Sequence, residues 1–150
     1  MGAMMSMYRF LECNVLRYMT RDVIVVARNT TLRELEDLIA AHDFNAFPVV
    51  EDGRMIGIVT KFDFLRAFAF TTRQMVPHYD ELMLTTVGDV MTEAVVDVRP
   101  EAPLTRVLQL MVNLRARSFP VVDQEGRLAG IISREDIIRA LKQSVQQGVA

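Results

Sequence analysis

The chain has 150 residues, of which 51% are hydrophobic and 24% charged, and its formal net charge is −2. Such a chain can bury a core, and its near-neutral charge excludes general affinity for nucleic acid or for an anionic membrane. Its single cysteine, Cys13, excludes an internal disulfide and fits a reducing compartment. The sequence also lacks an apolar run of transmembrane length, so we expect a cytoplasmic protein with neither a membrane nor a nucleic-acid partner.

The N-terminal segment, residues 1–14, begins with a methionine-rich stretch that lacks the charged-then-apolar plan of a signal peptide. Part of it is consistent with the remnant of an expression tag. Residues 8–18 are predicted to form a short leading helix. Cys13 lies within that helix, and a lone cysteine is more often a small buried hydrophobe than a reactive thiol.

An internal repeat dominates the rest of the chain. Residues 15–68 and 87–141 share varied residues in the same order, and the block Phe-Pro-Val-Val occurs intact in both copies, at 47–50 and 119–122. Low complexity does not produce such a pattern. A copy of about 55 residues is near the lower limit for independent folding, so we expect the two copies to pack as one module.

The first copy predicts a strand, a helix, a hairpin and a last helix. Its amphipathic helix opens with a capping box of Thr31 and Glu34, and Asp52-Gly53 is a strong hairpin-turn signal. The predicted strands and the last helix are Val23–Val26, Phe47–Val50, Met55–Val59 and the segment after Thr60.

The second copy predicts the same order of elements. Its first strand is Val95–Val98, and Pro103 suits the first turn of its amphipathic helix. A hairpin turn follows between Asp123 and Gly126, and the last helix begins after Ser133. The predicted fold class is therefore α+β, built from two β-α-β-β-α repeats.

Residues 69–86 connect the copies, and residues 142–150 are predicted to be the end of the last helix and a tail. Pro77 breaks any helix through the connector. The connector nevertheless holds six large apolar residues, so we expect it to pack on the surface of the module rather than to act as a flexible linker. These residues are Phe70, Met75, Val76, Tyr79, Leu82 and Leu84.

The last strand of each copy ends in a shared Gly-Ile-x-Thr/Ser-x-x-Asp pattern, which has two interpretations. The hydroxyl and the carboxylate form a good capping box for the helix that follows. The same helix start also offers N–H groups and a hydroxyl to a phosphate, a carboxylate to a ribose diol, and a glycine that lets a flat ring approach the strand. The residues are Gly57, Thr60 and Asp63 in the first copy and Gly130, Ser133 and Asp136 in the second.

Three motifs, in the same order in both copies, make the sequence resemble tandem cystathionine-beta-synthase (CBS) domains. They are Val-x-x-x-Met-Thr at 15–20 and 87–92, the Phe-Pro-Val-Val block, and the Gly-Ile-x-Thr/Ser-x-x-Asp pattern. The resemblance covers about residues 15–141, and it implies repeats related by a pseudo-twofold axis with ligand sites in the cleft between them. Family members commonly bind AMP, ADP or ATP there, and some bind S-adenosylmethionine.

By this resemblance, Asp63 and Asp136 would hold ribose hydroxyls, and Thr60 and Ser133 would touch the phosphate or the ribose. The resemblance also implies that residues on the first strands line the adenine pocket, together with the residues just before each Phe-Pro-Val-Val block. These residues are Val23, Val95, Asn45, Ala46, Arg117 and Ser118.

The two implied sites differ in charge. Arg117 stands where the first copy has Asn45, and a guanidinium suits a phosphate as well as it suits a solvated loop. Lys61 and Arg134, which follow the hydroxyl residues, are open to the same two interpretations. Our hypothesis is that the site with Arg117 binds phosphate more tightly.

Other chemistry has little support in the sequence. His42 and His78 are far apart, so we expect no metal site, and there is no catalytic triad, Walker loop or obvious general base. We therefore expect ligand binding without turnover and without a catalytic cofactor. A structural or dimerisation module with empty sites is the alternative from another class.

The last helix of the first copy is unusually apolar, with Phe62, Phe64, Leu65, Phe68 and Phe70 in one short stretch. One face must pack inside, which leaves a surplus for a subunit interface. We therefore predict a homodimer, as the resemblance to CBS pairs also implies. Its ligand would be an adenosine-containing small molecule, and its target would be a separate effector protein.

Overall fold

A computed structural model describes residues 8–69 and 79–149, which fall into two compact units. The terminal unit combines Met1–Val23 with Val96–Ala150, and the middle unit is Ile24–Val95. The units therefore do not follow the sequence repeats, because the first residues of each repeat are grouped with the body of the other repeat.

The elements alternate short helices with two hairpins. In chain order they are α1 (Val15–Tyr18), α2 (Leu32–Ala41), β1 (Ala46–Glu51), β2 (Arg54–Thr60), α3 (Lys61–Ala69), α4 (Tyr79–Met83), α5 (Val87–Val90), α6 (Leu104–Leu114), β3 (Ser118–Val122), β4 (Leu128–Ser133) and α7 (Arg134–Val149). The mixed α+β class is confirmed. The predicted leading helix is divided, because residues 8–11 are helical and α1 begins again only at Val15.

Both predicted hairpins form. Strands β1 and β2 pair antiparallel with Phe47 opposite Val59, and β3 and β4 pair with Phe119 opposite Ile132. The first turn has φ angles of 53° at Asp52 and 79° at Gly53. Two successive left-handed residues match the right-handed twist of a two-residue hairpin, which is why Asp-Gly was a reliable signal.

The predicted first strands, Val23–Val26 and Val95–Val98, do not form, and this prediction is wrong. Each segment contributes one isolated parallel bridge, Val26 with Val49 and Val98 with Val121. The cause lies in the Phe-Pro-Val-Val block. Val26 N donates to Pro48 O, and the next bond of a parallel ladder would need an N–H on Pro48, which proline lacks. Pro120 ends the second ladder in the same way.

Helix starts follow local sequence closely. Thr31 caps α2, since its Oγ accepts a bond of 3.2 Å from Glu34 N, and its hydroxyl donates to the Glu34 carboxylate at 3.2 Å. The predicted N-cap at Thr31 is therefore confirmed, but the Glu34 carboxylate accepts from the Thr31 hydroxyl rather than from the Thr31 backbone N–H that completes a capping box. Pro103 is the N-cap of α6 and has extended backbone angles, so it lies one residue before the first turn in which it was placed.

Each unit has its own apolar core. The core of the middle unit is centred on Leu32, Leu35, Phe47, Val49 and Val59. The core of the terminal unit contains Phe10, Cys13, Val15, Leu104, Val107, Met111, Phe119 and Ile132. Cys13 is thus a buried free thiol.

The connector contributes to the middle unit through Met83, which is 1% exposed, whereas Leu84 is 65% exposed. Phe70, Met75, Val76, Pro77 and His78 lie outside the described residues. Among residues 8–69 and 79–149, no helix combines the length and the apolar character that crossing a membrane requires.

Candidate ligand-binding sites

Asp63 lies in the first turn of α3, directly after β2 ends, and only 2% of it is exposed. Its Oδ2 accepts bonds from Thr60 N at 3.0 Å and from Thr60 Oγ at 3.1 Å. In return, Asp63 N donates to Thr60 Oγ at 3.0 Å. Reciprocal bonds of this kind are a capping box, so the capping interpretation of this motif is confirmed.

Two more donors reach the same carboxylate. The hydroxyl of Thr92 lies 3.3 Å from Asp63 Oδ1 and 3.4 Å from Oδ2. Arg66 Nη2 donates to Oδ1 at 3.0 Å and also to Val90 O at 3.1 Å. The buried charge is therefore compensated by a cation and by three neutral donors, as a buried carboxylate requires.

Asp136 in the terminal unit repeats this arrangement and is 3% exposed. Ser133 N and Ser133 Oγ donate to its Oδ2 at 2.9 and 3.0 Å. The Thr20 hydroxyl lies 3.3 Å from Oδ1. Arg139 Nη2 lies 3.3 Å from Oδ1 and donates to Tyr18 O at 2.9 Å. The same four donor groups thus meet around a carboxylate in both units.

The threonine at each carboxylate comes from the other sequence repeat. Thr20 pairs with Ile131 of β4, and Thr92 pairs with Ile58 of β2. These isolated bridges bring each Met-Thr segment (residues 19–20 and 91–92) beside the last strand of its unit. Val23 therefore lies in the same unit as Asp136, and Val95 lies in the same unit as Asp63. Both valines are half-buried.

Gly57 and Gly130 allow a close approach, but of the chain itself. A Cβ at Gly57 would lie 2.7 Å from Thr92 O, and a Cβ at Gly130 would lie 2.5 Å from Thr20 O. We expected the missing Cβ of these glycines to leave room for a flat ring. That expectation is wrong for the space in which the Cβ would lie. A peptide carbonyl fills that space, and it places the neighbouring threonine at the carboxylate.

The hydroxyls of Thr60 and Ser133 are also more constrained than the sequence suggested. Each one donates its only proton to the carboxylate and accepts from the amide of the same aspartate. Neither hydroxyl is free to donate to a phosphate, and that expectation is corrected. One lone pair on each oxygen remains available to a ligand donor.

The positions before the Phe-Pro-Val-Val blocks lie at the same helix openings. Lys61 N donates to Asn45 O at 3.0 Å, and Arg134 N donates to Arg117 O at 3.0 Å. In sheet register, Ala46 lies opposite Thr60 and Ser118 lies opposite Ser133. The structure therefore brings together Asn45, Ala46, Thr60, Lys61 and Asp63 in one unit, and Arg117, Ser118, Ser133, Arg134 and Asp136 in the other.

The three candidate cations have different surroundings. Lys61 Nζ lies 3.8 Å from the Asp43 carboxylate. Arg134 donates to Ala116 O at 2.9 Å and to Arg115 O at 3.0 Å, so its guanidinium is engaged in holding a loop. Arg117 is exposed, and within the described ranges its side chain has no hydrogen bond or ion pair. Arg117 is therefore the cation best able to meet an anion.

Two sets of site residues were missed by sequence reasoning, namely the threonines Thr20 and Thr92 and the arginines Arg66 and Arg139. Both sets carried a signal, because each occupies matching positions in the two repeats. The arginines follow the aspartates at a spacing of three, which places both side chains on one face of a helix. The threonines were recognised as part of the repeat, but their role depends on pairing that is distant in sequence.

Metal binding is not supported by the described part of the chain, which contains no group of three or more histidine, cysteine, aspartate or glutamate residues able to hold an ion. His42 caps the end of α2 and stacks on Phe44, with ring centroids 5.6 Å apart. His78 lies outside the described residues.

Comparison with known proteins decides the family. The family model of the CBS domain matches residues 15–70 and 87–143. The chain belongs to the CBS domain family. It is 30% identical over 153 residues to the CBS domain-containing protein CBSX1, chloroplastic, of Arabidopsis thaliana, covering 87% of the chain and 65% of that protein. Two relatives from Methanocaldococcus jannaschii, 29% and 33% identical, are covered over only 45% and 44% of their lengths.

Solved structures of CBS proteins share the fold. CBSX2 of Arabidopsis thaliana, solved in complex with AMP, has a TM-score of 0.73 at 27% identity, over 87% of the chain and 96% of CBSX2. The CBS domain pair of MJ0100, solved with 5′-methylthioadenosine and S-adenosyl-L-methionine, has a TM-score of 0.67 at 26% identity, over 85% of the chain and 98% of that structure.

Proposed function

We propose that this CBS protein is a regulatory module that binds an adenine nucleotide (AMP, ADP or ATP) at the openings of α3 and α7 and signals to a partner protein. The observation that carries the proposal is the duplicated, buried carboxylate at a helix start, with Asp63 in one unit and Asp136 in the other. The complex of CBSX2 with AMP supports the choice of ligand class.

The chemistry of the helix openings suits an adenosine monophosphate. The carboxylate and the remaining lone pair of Thr60 or Ser133 can each accept from one hydroxyl of a ribose diol. The dipole of the helix favours a phosphate nearby, and Arg117 supplies a cation at the α7 opening. Val23 and Val95 are half-buried apolar side chains of the kind that pack on a purine.

Binding without turnover fits the same contacts. The carboxylate and the hydroxyl of each helix opening are hydrogen-bonded to one another and to the chain, so neither is presented as a base toward a nucleophile. S-adenosylmethionine is the second candidate ligand, which the MJ0100 complex supports. It shares the ribose diol with AMP but carries a carboxylate in place of the phosphate.

A ligand panel tests the proposed function. The melting temperature of the protein should rise with AMP, ADP or ATP, because a ligand that binds only the folded state contributes about 2.7 kcal/mol at 100 times its Kd. S-adenosylmethionine tests the second candidate ligand. GMP, which keeps the ribose and the phosphate, is the control for recognition of the adenine base. The absence of any shift with all adenosine compounds would favour a structural module with empty sites.

Arg117→Ala is expected to weaken AMP binding at the terminal unit by about three- to tenfold and to leave adenosine binding unchanged. The reason is that removing an exposed guanidinium takes a charged contact from the phosphate only. Calorimetry with AMP and with adenosine measures both effects. Arg106→Ala, which removes an exposed arginine from α6 of the same unit, is the matched control. An equal loss for AMP and adenosine would remove Arg117 from the phosphate position.

The proposed homodimer remains a prediction. Its support is an exposed apolar face on α3, where Phe62 is 69% exposed and Leu65 is 64% exposed, while Phe64 and Phe68 pack on the core of the middle unit. The cytoplasmic location and the separate effector protein also remain predictions.

A further inference from the structure

The aspartate carboxylates have no unused acceptor site. A carboxylate offers about four lone-pair positions. Four donor groups of the chain reach Asp63, namely the Thr60 amide, the Thr60 hydroxyl, the Thr92 hydroxyl and the Arg66 guanidinium. Four equivalent donors reach Asp136. One hydroxyl of a ribose diol can donate to the carboxylate only after one of the present donors leaves, and the other can donate to the free lone pair of Thr60 or Ser133.

The threonine of the Met-Thr segment is the donor best able to leave. Its distances of 3.3 and 3.4 Å to the Asp63 oxygens are the longest in the set, whereas the Thr60 donors lie at 3.0 and 3.1 Å. The Thr60 donors belong to the cap of α3, and Arg66 carries the charge that balances the carboxylate. Thr92 is exposed, so its released hydroxyl can bond to water.

Only the side chain of Thr92 needs to move. Its backbone is paired with Ile58 through two bonds of 2.8 and 2.9 Å, which a side-chain rotation leaves intact. Rotation to another staggered χ1 well carries the hydroxyl away from the carboxylate. Arg66 Nη2 also donates to Val90 O at 3.1 Å, and this bond fixes the end of α5, just before the Met-Thr segment.

We infer that Thr92 and Thr20 are internal competitors of the ligand, each hydroxyl occupying the carboxylate of its unit until a ribose diol displaces it. This inference rests on the proposed function, because it requires a ligand with a diol. It makes the two threonines specificity-determining residues. A ligand with both ribose hydroxyls replaces the lost bonds, and a ligand without them does not.

The Met-Thr segments of the two units differ in their surroundings. Tyr18, next to the Met-Thr segment, donates from its hydroxyl to Gln143 at 3.0 Å, and the Arg139 guanidinium lies 5.7 Å from the centre of its ring. The middle unit has Val90 at the corresponding position, which has neither contact available to its side chain. The Met-Thr segment of the terminal unit is thus fixed by more interactions.

The Thr20→Val, Thr92→Val double variant tests the inference by calorimetry with AMP and with 2′,3′-dideoxyadenosine monophosphate. Valine keeps the shape of threonine and removes the competing hydroxyl. We expect AMP to bind about three- to tenfold more tightly than to the wild type, and the dideoxy compound to bind with unchanged affinity. The unliganded variant should melt a few degrees lower, since each carboxylate loses a donor. The Thr20→Ser, Thr92→Ser variant retains both hydroxyls and should bind AMP like the wild type.

The outcomes separate this inference from the proposed function. If the wild type binds AMP and the valine variant binds it equally or more weakly, the inference is overturned and the function stands. If no adenosine compound binds the wild type, both are overturned. Methyl NMR of the wild type provides a readout that needs no variant, because added AMP should change the χ1 rotamer of Thr92. An unchanged rotamer at saturating AMP would also overturn the inference.

Discussion

Replacing both Asp63 and Asp136 with asparagine is expected to weaken AMP binding by about 100-fold, because these carboxylates are the acceptors proposed for the ribose diol. A hydrogen bond that includes a charged group contributes about 1.5–3 kcal/mol, and a 100-fold change in affinity corresponds to about 2.7 kcal/mol. Asparagine keeps the size of the side chain but offers one acceptor oxygen instead of two. Calorimetry with AMP on the wild type and the double variant measures the loss.

The same double variant should also be less stable, because each aspartate caps its helix from a buried position. Loss of a cap and of a charged bond lowers the free energy of unfolding by about 1–3 kcal/mol per site, which thermal melting detects. Asp89→Asn is the matched control. Thr86 and Asp89 have the same spacing, and the Thr86 hydroxyl donates to Asp89 at 3.1 Å, but Asp89 is exposed. Wild-type affinity for AMP in the double variant would contradict the proposed sites.

The local features of this fold could be predicted from the sequence because local chemistry determines them. The hairpin turn at Asp52-Gly53 follows from two left-handed residues, and the α2 cap follows from Thr31 and Glu34. The cap formed by Thr60 and Asp63 could also be predicted, because both partners lie within one turn of helix.

Two features needed information that hydrophobic patterning does not carry. The prediction of the first strands was wrong because it rested on the apolar character of the valines. The hydrogen-bonded ladder depends instead on a backbone N–H, which Pro48 lacks. The pairing of Thr20 with Asp136 was not predicted, because it joins residues that are far apart in sequence. Each repeat contains its own threonine and aspartate, and nothing in a single repeat indicates that they belong to different units.

The exchange of Met-Thr segments also explains why the repeat shows a glycine before each Ile-x-Thr/Ser. A glycine in a strand interior is usually unfavourable, and it is found where another backbone approaches closely. Here that backbone is the Met-Thr segment from the other repeat. The glycine, the threonine and the aspartate are therefore three parts of one contact, although sequence reasoning treated the glycine as space for a ligand.

Gly130→Ala is expected to lower the free energy of unfolding by about 3 kcal/mol, because overpacking of this kind forces the backbone to shift. The added Cβ would stand 2.5 Å from Thr20 O and 3.3 Å from Met19 Sδ. The methionine side chain can move, but the carbonyl accepts from Ile131 N at 2.9 Å and cannot withdraw without breaking that bond. Thermal melting should show a fall on the order of 10 °C.

Gly53→Ala separates this steric cost from a conformational one. Gly53 has φ of +79°, and a Cβ there would meet nothing within 4 Å, so alanine should cost only about 1 kcal/mol. If Gly130→Ala proved milder than Gly53→Ala, the Thr20 carbonyl would not lie against residue 130. The Thr20 hydroxyl would then lose the backbone contact that holds it at Asp136, and the competition proposed for the terminal unit would lose its structural basis.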